Sequence, residues 1–376
     1  MADGRLLTSI AFQGGGALGA YATGALEYIY EAQPAFSPTC VSGVSIGAFT
    51  AALVASHPEN PVPALKAFWD ELTISSPFLP QAIERRLAIF GNPAFYRPRF
   101  DFLTLPSWTY LYDLEPIRRT LPRYVNFERI ATGNVGLVVT ATNIVTGDIE
   151  DFTNEDSGDP ITIEHLIASG SLPPSYPPLP IRGRTYWDGG LFDNTPLGAL
   201  LKRISAKDAA QMRVIVINLF PDKGAVPTTM LDVWDRMIEL QFANKTKKDV
   251  ALARSINALL AIIEELQKLK PGDRNPALTN AKLDHLAKYK VFENIISISN
   301  SSVEDTSSSA DFSPASIQRR MTAGYADAKS KLTALPTSAT EVRSAVAMAT
   351  AVSRADYADT FGPTDGDGSP DVQPPH

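Results

Sequence analysis

Leu6 to Phe12 is a short apolar run that predicts a β-strand, and Gly14 to Gly19 interrupt it before a helical stretch from Ala20 to about Glu31. The same order repeats at once. Thr39 to Val44 reads as a second brief strand, Ser45 stands at its end, and Ile46 to Ala55 continues as a helix of small residues. Two consecutive strand-loop-helix units point to a parallel sheet, since parallel strands need a crossover between them. Gly136 to Thr142 and Arg213 to Phe220 are β-branched apolar runs of buried-strand length, and Val291 to Ser299 is a weaker third. The expected fold class is therefore α/β, with a mostly parallel central sheet flanked by helices.

The second half of the chain is more helical. From Asp249 to Lys270, Leu252, Ile256, Leu259, Ile263 and Leu266 fall at spacings of three and four, a stripe expected to pack on the core, with membrane contact as the lesser alternative. Ser313-Pro314 is a helix start leading into Ala315 to Leu332. Beyond Pro336 small residues dominate, and Gly362 to His376 has no apolar period, so residues 336–376 are expected to form a flexible tail. One segment stands apart. Ser76 to Tyr112 interleaves prolines with Phe90, Phe95, Tyr96, Phe100, Phe102, Trp108, Tyr110 and Tyr112, and carries Arg85, Arg86, Arg97 and Arg99. It reads either as an insertion that packs its aromatics on the domain or as a cap over an acyl-binding groove with arginines facing phosphate or headgroups.

Composition narrows the picture. With 376 residues the chain can bury one large core or two smaller ones, and a net charge of -7 argues against general affinity for nucleic acid. The single cysteine, Cys40, rules out an intramolecular disulfide and is expected to be a buried small side chain. Met1 to Ile10 does not resemble a secretory signal, and no run approaches the roughly 18 apolar residues of a membrane span. A cytoplasmic location is expected, with any membrane contact peripheral.

The chemistry concentrates at three glycine-bearing motifs. Gly43-Val44-Ser45-Ile46-Gly47 fits the G-x-S-x-G nucleophile elbow, which needs glycines where a sharp strand-to-helix turn brings backbones together. In Gln13-Gly14-Gly15-Gly16-Ala17-Leu18-Gly19, Gly14, Gly16 and Gly19 also satisfy the dinucleotide fingerprint G-x-G-x-x-G. That reading wants a carboxylate at the end of the second strand, where Gly43-Val44-Ser45 stands instead, and no Lys-Ser or Lys-Thr follows as a Walker loop requires. An oxyanion hole made by the loop's backbone amides fits better. A plain glycine turn remains the simplest alternative.

A nucleophilic serine needs a base. The four histidines, His57, His165, His285 and His376, read as solvated or locally packed, although His165 or His285 could complete a Ser-His-Asp triad. Asp188, followed by Gly189 and Gly190, is the other candidate. An aspartate is a poor base at its usual pKa near 3.9 and would need burial and contact with the hydroxyl.

In order and approximate spacing, Gln13 to Gly19, Gly43 to Gly47 and Asp188 to Gly190 resemble the patatin-like phospholipase family. Ala168 to Pro174 and Asp193-Asn194-Thr195-Pro196 resemble its supporting stretches. The resemblance covers about Leu6 to Phe220, and the chain looks like a bacterial member with a C-terminal extension. It implies a three-layer α/β fold and a Ser-Asp dyad of Ser45 and Asp188. It further implies an oxyanion hole from Gly14, Gly15, Gly16 and Gly19, an elbow supported by Gly43 and Gly47, and an aspartate supported by Gly189 and Gly190. The implied activity is phospholipase A-like hydrolysis of lipid esters with no metal or organic cofactor. Other uses of the fold are transfer of the acyl group to an acceptor other than water, or lipid binding without turnover. The implied layout is a catalytic core over residues 1–220, with an insertion at about 76–112, followed by a helical extension over 221–335. Leu18 stands where many relatives carry Arg or Lys, which puts the headgroup preference in question and leaves the backbone donors in place.

Overall fold

Eight strands form one sheet in the computed structural model, which describes residues 7–333 apart from 77, 157, 210, 222–225, 229, 244, 270–291, 293 and 302–308. They are β1 (Leu7–Phe12), β2 (Cys40–Gly43), β3 (Gly136–Asn143), β4 (Ile149–Thr153), β5 (Leu179–Ile181), β6 (Arg184–Asp188), β7 (Met212–Asn218) and β8 (Asn294–Ser299). Their order is β8-β7-β1-β2-β3-β6-β5, with β4 also on β3. The five strands from β8 to β3 run parallel, whereas β4, β6 and β5 are joined antiparallel at the other end. β1 and β7 pair over six residues, Leu7 with Met212 through Phe12 with Ile217.

The alternation of side chains along these strands divides the core in two. Ile10, Phe12, Val41, Leu137, Val139, Ile215 and Ile217 face one way, towards helices α1 (Ala20–Ala32), α2 (Ile46–Ser56) and α3 (Val62–Leu72). Ala11, Cys40, Val138, Val214 and Val216 face the other, towards Leu197 and Leu200. The arrangement is thus helix, sheet, helix, a three-layer α/β fold. Because both faces are covered, the central strands read as continuous apolar runs; every residue of β7 is buried. Burial pushes the Cys40 thiol up to about 12, so it is an inert packing residue.

Further helices are α4 (Ile163–Ser169), α5 (Leu197–Arg203), α6 (Met230–Ala243), α7 (Lys245–Lys268) and α8 (Pro314–Leu332). Glycines let α8 lie directly on α1: a Cβ at Gly24 would strike the carbonyl of Met321, and one at Gly324 that of Tyr21. The start of α8 is fixed by buried Asp311, which accepts from the Ser313 amide (3.0 Å) and hydroxyl (2.7 Å) and from the Ser316 hydroxyl (2.7 Å). Buried Arg320 reaches back to the Asp311 carbonyl (2.8 Å), which anchors Phe312 between them and the core. Leu7–Leu335 form one compact unit, and β8 belongs to the same sheet as β1. Residues 336–376, expected as a tail, lie outside the described residues.

One expectation changes. In α7 the contact face is Val250, Asn257 and Leu260, with Asn257 Nδ2 donating to the Phe292 carbonyl at 2.7 Å. The stripe read from the sequence is split: Leu252 and Leu259 are each 60% exposed, whereas Ile256, Ile263 and Leu266 are half-buried. Spacing specifies an apolar face; which side of it meets the core depends on where the helix docks. The antiparallel end of the sheet was also not legible, because β4 and β6 are short and carry Glu150, Asp151 and Arg184 among their apolar residues.

Candidate active site

β2 ends in Cys40-Val41-Ser42-Gly43 and the chain turns at Ser45 directly into α2. The turn is as tight as the glycine pattern implies. A Cβ at Gly43 would meet the Gly47 carbonyl, and one at Gly47 would sit 2.5 Å from the Phe12 carbonyl oxygen. Ser45 itself has φ 56 and ψ -129, a backbone that an L-residue adopts only under strain, of order 1–3 kcal/mol. That strain is held by neighbours: the Ser45 amide donates to Ser169 through both its carbonyl (3.1 Å) and its Oγ (3.0 Å), and Ser169 Oγ donates to the Thr140 carbonyl (2.7 Å).

Sheet register brings Asp188 to the same place. β2 pairs with β3 only as far as Gly43 opposite Val139. β4 occupies β3 from Val138 to Thr142, so it takes the opposite edge from β2. β6 pairs with Ala141, Thr142 and Asn143, two of which β4 also uses, and so must lie on the β2 edge. It enters the lane that β2 vacates at the elbow, and Asp188, opposite Ala141, is its last residue. A strand from one side and an antiparallel strand from the other thus deliver a hydroxyl and a carboxylate to one point.

Asp188 is 4% exposed, and burial raises its carboxyl to about 7 against the pull of two partners that favour the ionised form. These are the Gly190 amide, which donates to Oδ1 at 2.7 Å, and the Ser45 hydroxyl, which faces it. Gly189 packs under this turn, 2.7 Å from the Thr140 carbonyl at its virtual Cβ.

Gly14, Gly15, Gly16, Ser45, Ile46, Asp188 and Gly190 line one cavity of about 160 Å³. Its other wall is aromatic: Phe95, Tyr96, Tyr176, Phe220, Phe242 and Phe312. Burial holds the phenols of Tyr96 and Tyr176 above their ordinary value, so the wall stays uncharged. Two glycines expected at the oxyanion position differ in place. The Gly14 amide donates to the Asn194 carbonyl at 3.1 Å, and Gly19 packs against Ile46 and Trp69 away from the cavity. The amides of Gly15 and Gly16 have no partner among the described residues.

Gln13 and Asn194, which lie inside the motif stretches but carry no individual role in the sequence reading, hold this loop. Asn194 Nδ2 donates to the Gly14 carbonyl at 3.1 Å, while its Oδ1 lies against both Gly14 and Gly190, so one side chain spans the glycine loop and the aspartate turn. Gln13 is buried and fully used: it donates to Thr195 Oγ1 (3.0 Å) and the Phe242 carbonyl (3.2 Å) and accepts from the Leu219 (2.7 Å) and Phe220 (3.2 Å) amides. Their polar identity is visible in the sequence, but their partners are about 180 to 230 residues away.

The cavity is too small for a dinucleotide, and no carboxylate ends β2. Among the described residues, no histidine lines it. His165 Nδ1 instead accepts the Thr162 amide (3.0 Å) in a capping box at the start of α4, its ring lies 4.6 Å from Phe152, and burial lowers its pKa. His57 Nδ1 contacts Ser56 Oγ (2.9 Å) at the end of α2; His285 and His376 lie outside the described residues. A wider cleft of about 590 Å³ near Glu71, Glu115, Arg119 and Arg123 includes neither Ser45 nor Asp188 in its lining, and Arg119 pairs with Glu115 and Arg123 with Glu71. Among the described residues, no group of three or more His, Cys, Asp or Glu could hold a metal ion, and no helix is long and apolar enough to cross a membrane.

A hydroxyl on a strained elbow and a buried carboxylate facing it thus stand in one cavity with glycine amides that have no partner among the described residues. Residues 10–201 match the family described as Patatin-like phospholipase, and residues 240–343 match one described as Patatin phospholipase. The chain belongs to the patatin-like phospholipase family, and at that level it is a lipid hydrolase. No curated protein matches it. Among solved structures it is similar to VipD from Legionella pneumophila, with 15% identity over 88% of this chain and 67% of that one and a TM-score of 0.41. It is also similar to the ExoU-SpcU heterodimeric complex from the type III secretion system of Pseudomonas aeruginosa, with 16% identity over 95% and 61% of the chains and a TM-score of 0.34.

Proposed function

We propose that this protein hydrolyses carboxylic esters of lipids, phospholipase A-like, with Ser45 as nucleophile and Asp188 as its general base. The observation that carries the reading is a buried aspartate raised to about 7 facing the Ser45 hydroxyl, since a base poised near neutrality both accepts and returns a proton. Asp188 takes the Ser45 proton as Oγ attacks the ester carbonyl. The oxyanion that forms is met by the amides of Gly15 and Gly16, and such donors are typically worth about 3–4 kcal/mol each in the transition state. Protonated Asp188 then gives its proton to the leaving alkoxide, and an acyl-serine remains. Water attacks this ester, Asp188 takes the water proton, and its return to Ser45 Oγ releases the fatty acid. The chemistry needs no metal or organic cofactor.

An uncharged aromatic wall suits an acyl chain. At about 160 Å³, however, the cavity is below the roughly 300–1,000 Å³ usual for ligand sites, so a long chain must displace part of that wall. Ser45 and Asp188 lie within the first 220 residues, while Phe242 and Ser309 to Phe312 come from the later part of the chain; we assign 221–335 as an extension that completes the acyl pocket.

A fluorophosphonate probe should label Ser45, and the Ser45→Ala protein should not be labelled. A product-resolved assay on a panel of lipid esters should show free fatty acid only with the wild-type protein. Equal product from both proteins sinks the proposal, and acyl product on an alcohol acceptor redirects it to acyl transfer.

A further inference from the structure

The segment from Ser76 to Tyr112 contributes Phe95 and Tyr96 to the cavity wall and buries Ala88, yet many of its large apolar side chains turn outward. Phe78 is 92% exposed, Phe90 78%, Phe100 74%, Phe102 64% and Leu103 101%, and Ile83, Ile89, Leu105 and Leu111 are also exposed. Isolated exposed apolar residues need no explanation, whereas this density in one segment does.

The polar groups around the tip are already paired within it. Arg99 bonds Asp101 (Nε to Oδ1, 3.0 Å) and lies 4.5 Å from the ring centroids of both Trp108 and Tyr110. Thr104 Oγ1 donates to Asp101 Oδ2 (2.7 Å), Trp108 Nε1 donates to Thr104 Oγ1 (3.0 Å), and Arg97 Nη2 pairs with Asp113 Oδ2 (2.7 Å). Such a tip can leave water at low cost because its side-chain donors and acceptors take their partners with them. By the same token it offers few free groups to hydrogen-bond a protein partner. The charge that is left is positive: residues 76–112 contain four arginines, of which Arg85 lies 3.8 Å from Asp311, Arg97 pairs with Asp113 and Arg99 with Asp101. Exposed Arg86 has no ion pair among the described residues.

We propose that the Phe100–Leu105 tip, with Phe78 and Phe90, is a docking surface for an anionic lipid bilayer, inserting its apolar side chains at the interface from the same segment that supplies Phe95 and Tyr96 to the Ser45 cavity. Trp108, Tyr110 and Arg99 sit at headgroup depth, where amphipathic rings and guanidinium groups are favoured. The choice of a lipid partner rests on the lipid-ester reading above, so binding is measured apart from catalysis.

The Ser45→Ala protein is sedimented with vesicles of phosphatidylcholine alone and of equimolar phosphatidylcholine and phosphatidylserine. It should bind both, the second roughly tenfold more tightly. In the same background Phe102→Ser/Leu103→Ser should lower partitioning about 100-fold, while Val145→Ser, at an equally exposed apolar site elsewhere, should not. Trp108 emission should be quenched by brominated lipid in the parent and lose that component in Trp108→Phe. In an otherwise wild-type chain the tip variant should keep its kcat/KM on a soluble short-chain ester and lose activity on vesicles. Absence of vesicle binding, unchanged binding by the tip variant, or a dimer in light scattering that the same substitutions dissociate each overturns the proposal. Vesicle binding by a protein that cleaves no ester would reject the hydrolase reading and leave the docking surface standing.

Discussion

Two regions of this molecule bury their resources in opposite ways. Around Ser45 and Asp188 the chain uses glycine, serine and asparagine, packs backbone against backbone, and satisfies nearly every polar group, so that one carboxylate is left in a dry place facing one hydroxyl. In residues 76–112 it uses phenylalanine, leucine and arginine, closes its hydrogen bonds locally, and leaves its apolar surface in water. Phe95 and Tyr96 join the two. The contrast separates precision from encounter. The first region fixes its groups with close backbone contacts and short side chains of little freedom, and the second presents area. Each would be poor at the other's task, since exposure would return Asp188 to the ordinary carboxylate range and a rigid glycine junction has no surface to offer.

Substitution at Asp188 breaks the first region most sharply. Asp188→Asn should lower kcat/KM on soluble esters by about 10^4-fold or more, because a group that acts as a unit with the nucleophile is lost. The same change should raise stability at pH 8. The folded-state carboxyl is raised from 3.8 to about 7, so the native protein holds a proton that the unfolded chain releases between those values; native stability therefore falls as pH rises through that window and stays reduced above it. Asparagine removes a penalty of up to roughly 4 kcal/mol. Thermal melts of the variant should exceed wild type at pH 8 and approach it near pH 4; a variant destabilised at both would show that Asp188 is not held against its own ionisation.

The wild-type pH profile should show the next largest effect. kcat/KM should rise about tenfold per pH unit below an inflection near 7 and level off above it, and Asp188→Asn residual activity should lack that inflection. A flat profile from pH 5 to 8 would contradict the base assignment. Asn194→Ala sharpens the comparison, because it removes the side chain that spans the glycine loop and the aspartate turn while leaving both backbones in place. It should reduce kcat about 10- to 100-fold with little change in KM on a soluble ester. The smallest effect belongs to His165→Ala, which loses a capping box and a ring contact: about 1–2 kcal/mol of stability, with kcat/KM unchanged within about twofold. A loss of several orders of magnitude there would restore a histidine triad.

What the sequence alone determined was whatever depends on residues close together in the chain. The two strand-loop-helix units, the elbow glycines and the Ser-Pro start of α8 are local decisions of spacing and backbone freedom, and the α/β class with its mostly parallel sheet followed from them. The pairing of Ser45 with Asp188 was suggested by resemblance and could not be derived, since an Asp-Gly-Gly turn is ordinary until its surroundings are known. Tertiary structure decided the rest. β6 enters the lane that β2 leaves, which puts Asp188 beside the elbow, and burial there moves its proton affinity into the neutral range. The outward turn of Phe90, Phe100 and Phe102, with Phe95 and Tyr96 turned inward, and the exposure of Leu252 and Leu259 were decided at the same level. An apolar pattern records that a face exists, and only docking against the remainder of the chain chooses whether protein or solvent meets it.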